Sequence, residues 1–297
     1  MSGLLSGEGE VITPDPENPE HFRTVFVSDS HLGYKGVRSA ELLRFLQSIR
    51  CERLVLVGDL VDTWVIKKGW HWTIECDLII RRLLKMATQE GTEIIYVPGN
   101  HDDPVRRFEG VSFAGVTIRR ELVHETADGR RLLVIHGDEF DMMMRQWQKL
   151  AHISHITFGW MRFINKMLNS LRRLIGSGYW SLSEWMRRSI QRMVKTERNY
   201  LIAATNEARG RGLDGVICGH IHRAEQSMVD GIEYHNTGDW MEDTSAICEL
   251  VDGTLLLVRT KPRTAHPLSG ISKAEIEAEL AASGESDRVG LDLEALA

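Results

Sequence analysis

Several features that would assign the chain early are missing. Its four cysteines, Cys51, Cys76, Cys218 and Cys248, are widely separated and form no Cys-x-x-Cys pair. That argues against a zinc ribbon and against a disulfide framework, and reduced structural thiols in a cytosolic protein are the simplest reading. No window approaches the roughly 18 uninterrupted apolar residues of a membrane-spanning helix. Residues 1–20 lack the basic start and apolar stretch of a secretory signal. The expected location is therefore cytoplasmic, with peripheral contact at the inner membrane as the strongest membrane association. Lys and Arg are absent from residues 1–20, which hold five acids, and scarce in 271–297, where seven acids face two bases. Residues 1–20 and 266–297 read as solvated, mobile acidic tails, and the body between the acidic ends carries a net charge of +4.

A recurring pattern stands against these absences. Phe26-Val27 runs into Ser28-Asp29-Ser30-His31, and Leu54-Val55-Leu56-Val57 into Gly58-Asp59 and then Asp62. Ile94-Ile95-Tyr96-Val97 precedes Gly99-Asn100-His101-Asp102; Leu132-Leu133-Val134-Ile135 precedes His136-Gly137-Asp138; Val216-Ile217-Cys218 precedes Gly219-His220-Ile221-His222. Each is an apolar strand that ends in polar, glycine-marked residues. In an open α/β sheet, functional groups gather beyond the carboxyl ends of the strands, so five such ends can supply one site. Asp and His two positions apart at such an end suggest a metal.

Between the first three ends, Arg38–Ile49 and Asp77–Thr88 carry apolar residues at helical spacing, which gives strand, helix, strand, helix, strand. From Val111 to Ile135 the elements shorten to strands, with Ala127-Asp128-Gly129-Arg130 as a hairpin turn. After Leu213 come two Asp-Gly hairpin signals, Val229-Asp230-Gly231-Ile232 and Val251-Asp252-Gly253-Thr254, expected to build a second sheet that closes a sandwich.

Taken in order, Asp-x-His, Gly-Asp-x-x-Asp, Gly-Asn-His-Asp, His-Gly-Asp and Gly-His-x-His resemble the calcineurin-like metallophosphoesterase superfamily. The resemblance implies an α/β fold, a β-sandwich flanked by helices over 21–265, holding two divalent metal ions. Residue by residue, Asp59 matches the bridging ligand; Asp29, His31 and His222 match the ligands of one ion, and Asn100, His136 and His220 those of the other. Mixed carboxylate, imidazole and amide ligation suits manganese, iron or zinc better than calcium, and manganese is the expected ion. Two such ions can clamp a phosphoryl group, acidify water to near neutral pH and offset charge in an in-line displacement. His101, next to Asn100, is expected to face the phosphate rather than the ions, and the resemblance implies a catalytic role, donating a proton to the leaving group or stabilising the transition state, with Asp102 orienting its other nitrogen. Asp62 and Asp138 are expected to back the ligating residues or the loop backbone rather than to bind metal directly. His71, His124, His152 and His155 are read as structural.

Residues 142–200 differ from the rest. They hold seven of the eleven methionines, four of the eight tryptophans and eleven Lys/Arg against two acids, a local charge of +9. Trp160, Phe163, Ile164, Met167, Leu168 and Leu171 fall at helical spacing opposite Arg162, Lys166 and Arg173, which makes a basic amphipathic helix; a second helical stretch follows from about Ser183 to Arg209. A helical cap over about 140–209 that binds something anionic and oily is the sharper reading, with plain packing on the sheet as the alternative. Arg145, Trp160, Arg162 and Lys166 are the substrate-binding candidates.

Within the superfamily the chain is similar to the UDP-2,3-diacylglucosamine pyrophosphatases of the lipid A pathway. Asp29-Ser30-His31-Leu32-Gly33, Gly58-Asp59-Leu60-Val61-Asp62, His136-Gly137-Asp138, Gly219-His220-Ile221-His222-Arg223 and the insertion after His-Gly-Asp carry that similarity. It implies hydrolysis at the α-phosphorus to UMP and a diacylated sugar phosphate, a small lipid-linked substrate. Two departures are present: that family typically has Arg at the position of His101, and Asn236-Thr237-Gly238-Asp239-Trp240 resembles a related subgroup. The alternatives are a phosphoesterase acting on a different phosphodiester or phosphomonoester, and a non-catalytic binding module on the same scaffold. No nucleic-acid partner is expected, because the basic charge lies among apolar helical positions without a recognisable module.

Overall fold

From Glu20 to Val97 the chain alternates strand with helix. β2 (Glu20–Val27), β3 (Ile49–Val57) and β4 (Glu93–Val97) pair in parallel, connected by α1 (Ser39–Gln47) and α2 (Ile74–Thr88). The computed structural model describes residues 10–12, 15–65, 69–140 and 196–260. Their apolar runs are continuous because both faces of these strands are covered. Val25, Val27, Leu54, Leu56, Ile94 and Tyr96 pack with Leu42, Leu43, Phe45, Leu46, Leu78, Ile79 and Met86 of the two helices. The intervening Phe26, Val55, Val57, Ile95 and Val97 point the other way and meet Leu132, Val134 and Ile217 of a second sheet.

The remaining strands are β1 (Glu10–Ile12), β5 (Ser112–Phe113), β6 (Val116–Ile118), β7 (Leu122–Glu125), β8 (Arg131–Val134), β9 (Gly215–Cys218), β10 (Glu225–Val229), β11 (Ile232–Asn236), β12 (Ser245–Glu249) and β13 (Leu255–Thr260). Eight strands form one sheet in the order β1-β13-β12-β2-β3-β4-β6-β5, and five form the other in the order β10-β11-β9-β8-β7. A third helix, α3 (Thr196–Gly210), lays Tyr200, Ala204 and Ala208 against Leu133, Val216, Cys218 and Tyr234 of the five-stranded sheet. Helix, sheet, sheet and helix thus stack as four layers, the expected sandwich. Cys76, Cys218 and Cys248 are buried, and burial pushes the Cys218 thiol up to about 12.

Three expectations are corrected. Residues 1–20 were expected to be tail throughout, yet Glu10–Ile12 adds a parallel edge strand to β13, with Glu10 opposite Val258. The cap was expected to reach about 209, but Thr196–Gly210 is a core-covering helix whose buried stripe of one aromatic and two alanines lets it lie close to the sheet. The two Asp-Gly hairpins do not share a sheet: β10 and β11 extend the five-stranded one, whereas β12 and β13 extend the eight-stranded one. Residues 141–195, with Arg145, Trp160, Arg162 and Lys166, and residues 261–297 lie outside the described residues.

Candidate metal centre

The carboxyl ends of six strands supply the site. β2 delivers Asp29 and His31, β3 Asp59, β4 Asn100 and His101, β8 His136, and β9 His220 and His222. The sixth end, that of β11, delivers Asp239. Parallel pairing of β3 with β2 and β4, and of β9 with β8 and β11, aligns these ends within each sheet. The loops must then fold back sharply. Asp29, His31, Asp59, His220 and His222 all take positive φ, between 41° and 70°. Such a conformation costs an L-residue on the order of 1–3 kcal/mol and persists only where surrounding structure over-determines it. Burial of one large apolar side chain is of similar size, roughly 1.5–3 kcal/mol, so the packed strands beneath can hold these loops.

Glycines bring the loops into contact. A Cβ on Gly99 would lie 2.2 Å from Asp59 Oδ1, and one on Gly219 would lie 2.3 Å from Asp29 Oδ2. The result is three overlapping clusters of ligand-type groups: Asp29, His31 and His222 at one end, Asp59, His136 and His220 at the other, and His31, Asp59 and His101 across them, with the ligand atoms of each within 4.8 Å of one another. His222 Nε2 lies 3.3 Å from Asp29 Oδ1 and 3.3 Å from His31 Nε2. Asp59 Oδ2 stands between the clusters, 3.7 Å from His31 Nε2 and 3.4 Å from His136 Nε2.

Asp29, Asp59 and His136 are held through their far sides. The His220 N–H donates to Asp29 Oδ2 at 2.9 Å, and the His101 N–H donates to Asp59 Oδ1 at 2.8 Å. His136 Nδ1 donates to the Val57 carbonyl at 2.9 Å, which turns Nε2 inward. Asp29 Oδ1, Asn100 Oδ1 and His136 Nε2 are buried without hydrogen-bond partners. Buried polar atoms are rarely left so, and oxygen and nitrogen donors aimed at one volume fit divalent cations. The electrostatics agree. Burial would raise the Asp29 carboxyl, but His31, His136 and His222 hold it well below the usual carboxylate range. Burial would lower His136, yet Asp59 and Asp29 push it up to about 10. These carboxylates hold positive charge beside them.

The partner expected for His101 is replaced by another. Asp102 does not orient it: its Oδ2 accepts the Leu60 N–H at 2.8 Å and the Tyr96 hydroxyl, and its Oδ1 accepts the Gly99 N–H. Buried in the loop, Asp102 fastens the ends of β3 and β4 together. Asp62 faces His101 instead, with Oδ1 3.0 Å from Nδ1, though not aligned as a hydrogen bond. Asp138 takes the loop role expected of it: Arg106 donates to it at 2.6 Å and to the Pro98 carbonyl at 3.0 Å. His124, read as structural, is buried and pairs with Glu249 at 2.7 Å.

Asp239 was missed as a site residue. Its Oδ2 accepts a hydrogen bond from His222 Nδ1 at 3.1 Å, and its Oδ1 accepts the N–H groups of Met241, Glu242 and Asp243. A carboxylate behind a ligating imidazole fixes its tautomer and ring orientation. The signal available was Gly238-Asp239 just beyond the strand, but Glu233, His235 and Asn236 interrupt the apolar run that marks the other five ends.

The sequence profile of the calcineurin-like phosphoesterase family matches residues 22–224, and the chain belongs to that family. It is a hydrolase of a family whose members use divalent metal ions. Among curated proteins it is similar to the UDP-2,3-diacylglucosamine hydrolase of Neisseria meningitidis serogroup B, 27% identical over 241 residues that cover 77% of this chain and 93% of that one. It is likewise 28% identical to the UDP-2,3-diacylglucosamine hydrolase of Pectobacterium atrosepticum, over 75% of this chain and 93% of the relative. Among solved structures, an archaeal phosphodiesterase aligns over 80% of this chain and 98% of its own, with 14% identity and a TM-score of 0.38. Among the described residues, no helix is long and apolar enough to cross a membrane.

Proposed function

We propose that the chain is a dinuclear metal-dependent pyrophosphatase that hydrolyses UDP-2,3-diacylglucosamine, or a similar acylated nucleotide sugar, at its α-phosphate to give UMP and an acylated sugar phosphate. The observation that carries this is Asp59 standing between two ligand clusters, 3.7 Å from His31 and 3.4 Å from His136. Similarity over 93% of the length of UDP-2,3-diacylglucosamine hydrolases supports the substrate. Asp29, His31 and His222 would hold one ion, Asn100, His136 and His220 the other, and Asp59 both; manganese is the proposed ion. When bound, two divalent ions polarise a phosphoryl oxygen and acidify water near neutral pH.

The chain's own residues handle the leaving side. With Nδ1 turned to Asp62, the other ring nitrogen of His101 would pass a proton to the departing oxygen as the P–O bond breaks. The Asp62 carboxylate stabilises the protonated ring. Arg145, Trp160, Arg162 and Lys166 are proposed to receive the anionic and acyl parts of the substrate. Peripheral contact with the inner leaflet of a cytoplasmic membrane belongs to the same proposal.

The test is UMP release from UDP-2,3-diacylglucosamine by manganese-loaded protein. Release that vanishes in Asp59→Ala is expected, and an untouched substrate overturns the assignment. A second reading, hydrolysis of a different phosphodiester, is favoured by His101 itself, because a proton donor helps most when the leaving oxygen is strongly basic. Cleavage of an aryl phosphodiester with the UDP-lipid left intact is its signature.

A further inference from the structure

Trp240 is wholly buried, whereas Trp64 joins none of the three packed cores and is 52% exposed. Polar bonds fix its position. The Trp64 N–H donates to Asp62 Oδ1 at 3.0 Å, and the neighbouring Thr63 N–H donates to the His101 carbonyl at 3.2 Å. The indole then lies flat on the His101 imidazole, with centroids 4.0 Å apart and planes inclined by 23°. His31 meets the same imidazole edge-on at 4.6 Å. His101 is held between the two rings, and Trp64 is the exposed one of the pair that flanks the proposed proton donor. Trp64 is thus about half exposed, with its ring 4.0 Å from that of the proposed proton donor.

We propose that Trp64 is a specificity-determining residue whose open indole surface receives a flat, apolar ring face of the substrate. The proposal rests on the pyrophosphatase reading. With attack at the α-phosphorus, the departing group is a sugar phosphate, so the ring placed on Trp64 is the C–H face of the pyranose. The nucleobase is the other flat group in such a substrate. Stacking on an exposed indole adds dispersion and excludes water without demanding a particular hydrogen-bond pattern.

Isothermal titration calorimetry of the manganese-loaded protein with inorganic phosphate, N-acetylglucosamine 1-phosphate and UMP separates ring from phosphate. Wild type is expected to bind the sugar phosphate about tenfold more tightly than phosphate, a ratio that falls towards one in Trp64→Ala and is largely kept in Trp64→Phe. Loss of the UMP advantage instead keeps the stacking role and assigns the ring to the base. The proposal is overturned if both ratios survive in Trp64→Ala, or if wild type binds neither ring-bearing ligand better than phosphate. Any loss of metal or folded protein common to the three ligands cancels in the ratios. Intact UDP-lipid beside a Trp64-dependent ratio removes the substrate reading alone, while cleavage beside a Trp64-independent ratio removes the stacking alone.

Discussion

Asp62 faces two imidazoles at once: Oδ1 lies 3.0 Å from His101 Nδ1 and Oδ2 lies 3.5 Å from His31 Nδ1. One buried carboxylate therefore adjoins both the proposed proton donor and a proposed metal ligand. Its position is set by the Trp64 and Val65 N–H groups, which donate to Oδ1 at 3.0 and 3.3 Å.

Asp62→Asn should lower kcat about 100-fold with a smaller change in KM. Because the two residues act as a unit, adding Asp62→Asn to His101→Ala should cost little beyond His101→Ala alone. Steady-state kinetics of the two single variants and the double variant decide this, and additive losses would show that Asp62 works independently. Asp102→Asn should instead lower stability by about 1–3 kcal/mol, because it removes an acceptor from N–H groups in the loop.

Asp239 locks His222 from behind. Asp239→Asn should weaken metal affinity about 10- to 100-fold while the protein stays folded, measured by chelator competition alongside thermal melting. Affinity equal to wild type would make Asp239 a loop anchor only, through its three backbone contacts.

Glu249 joins the two sheets away from the site, pairing with His124 at 2.7 Å and Arg23 at 2.6 Å and accepting the Ala127 N–H at 2.8 Å. Burial would raise its carboxyl, but His124 and the Ala127 N–H outweigh burial and hold it at about 2. A depressed folded value means that the stabilisation is present above the ordinary glutamate range, near 4.5, and is lost as pH falls towards about 2. Urea denaturation between pH 6 and 2.5 should show that loss in wild type and a shallower slope in Glu249→Gln; parallel slopes would contradict it.

How much was legible in the sequence follows from which interactions are local. Five of the six strand ends could be read because an apolar run and its polar terminus are contiguous. The helix faces on α1 and α2 were legible for the same reason. Chain adjacency misled at Asp102: it follows His101, yet its side chain turns inward to the Leu60 and Gly99 N–H groups, while Asp62 arrives from another loop. β1 depends on an edge strand some 248 residues onward, so nothing near Glu10 announces it. The two Asp-Gly hairpins look alike locally, and only tertiary pairing sends them to different sheets.

The measurement that bears most directly on the dinuclear site is metal content per chain after dialysis, by elemental analysis, for wild type, Asp59→Ala and His101→Ala. Two equivalents in wild type, fewer than two in Asp59→Ala and two in His101→Ala are expected. One equivalent in wild type that survives Asp59→Ala, or loss of metal in His101→Ala, would contradict the assignment of Asp59 as the shared ligand and His101 as the proton donor.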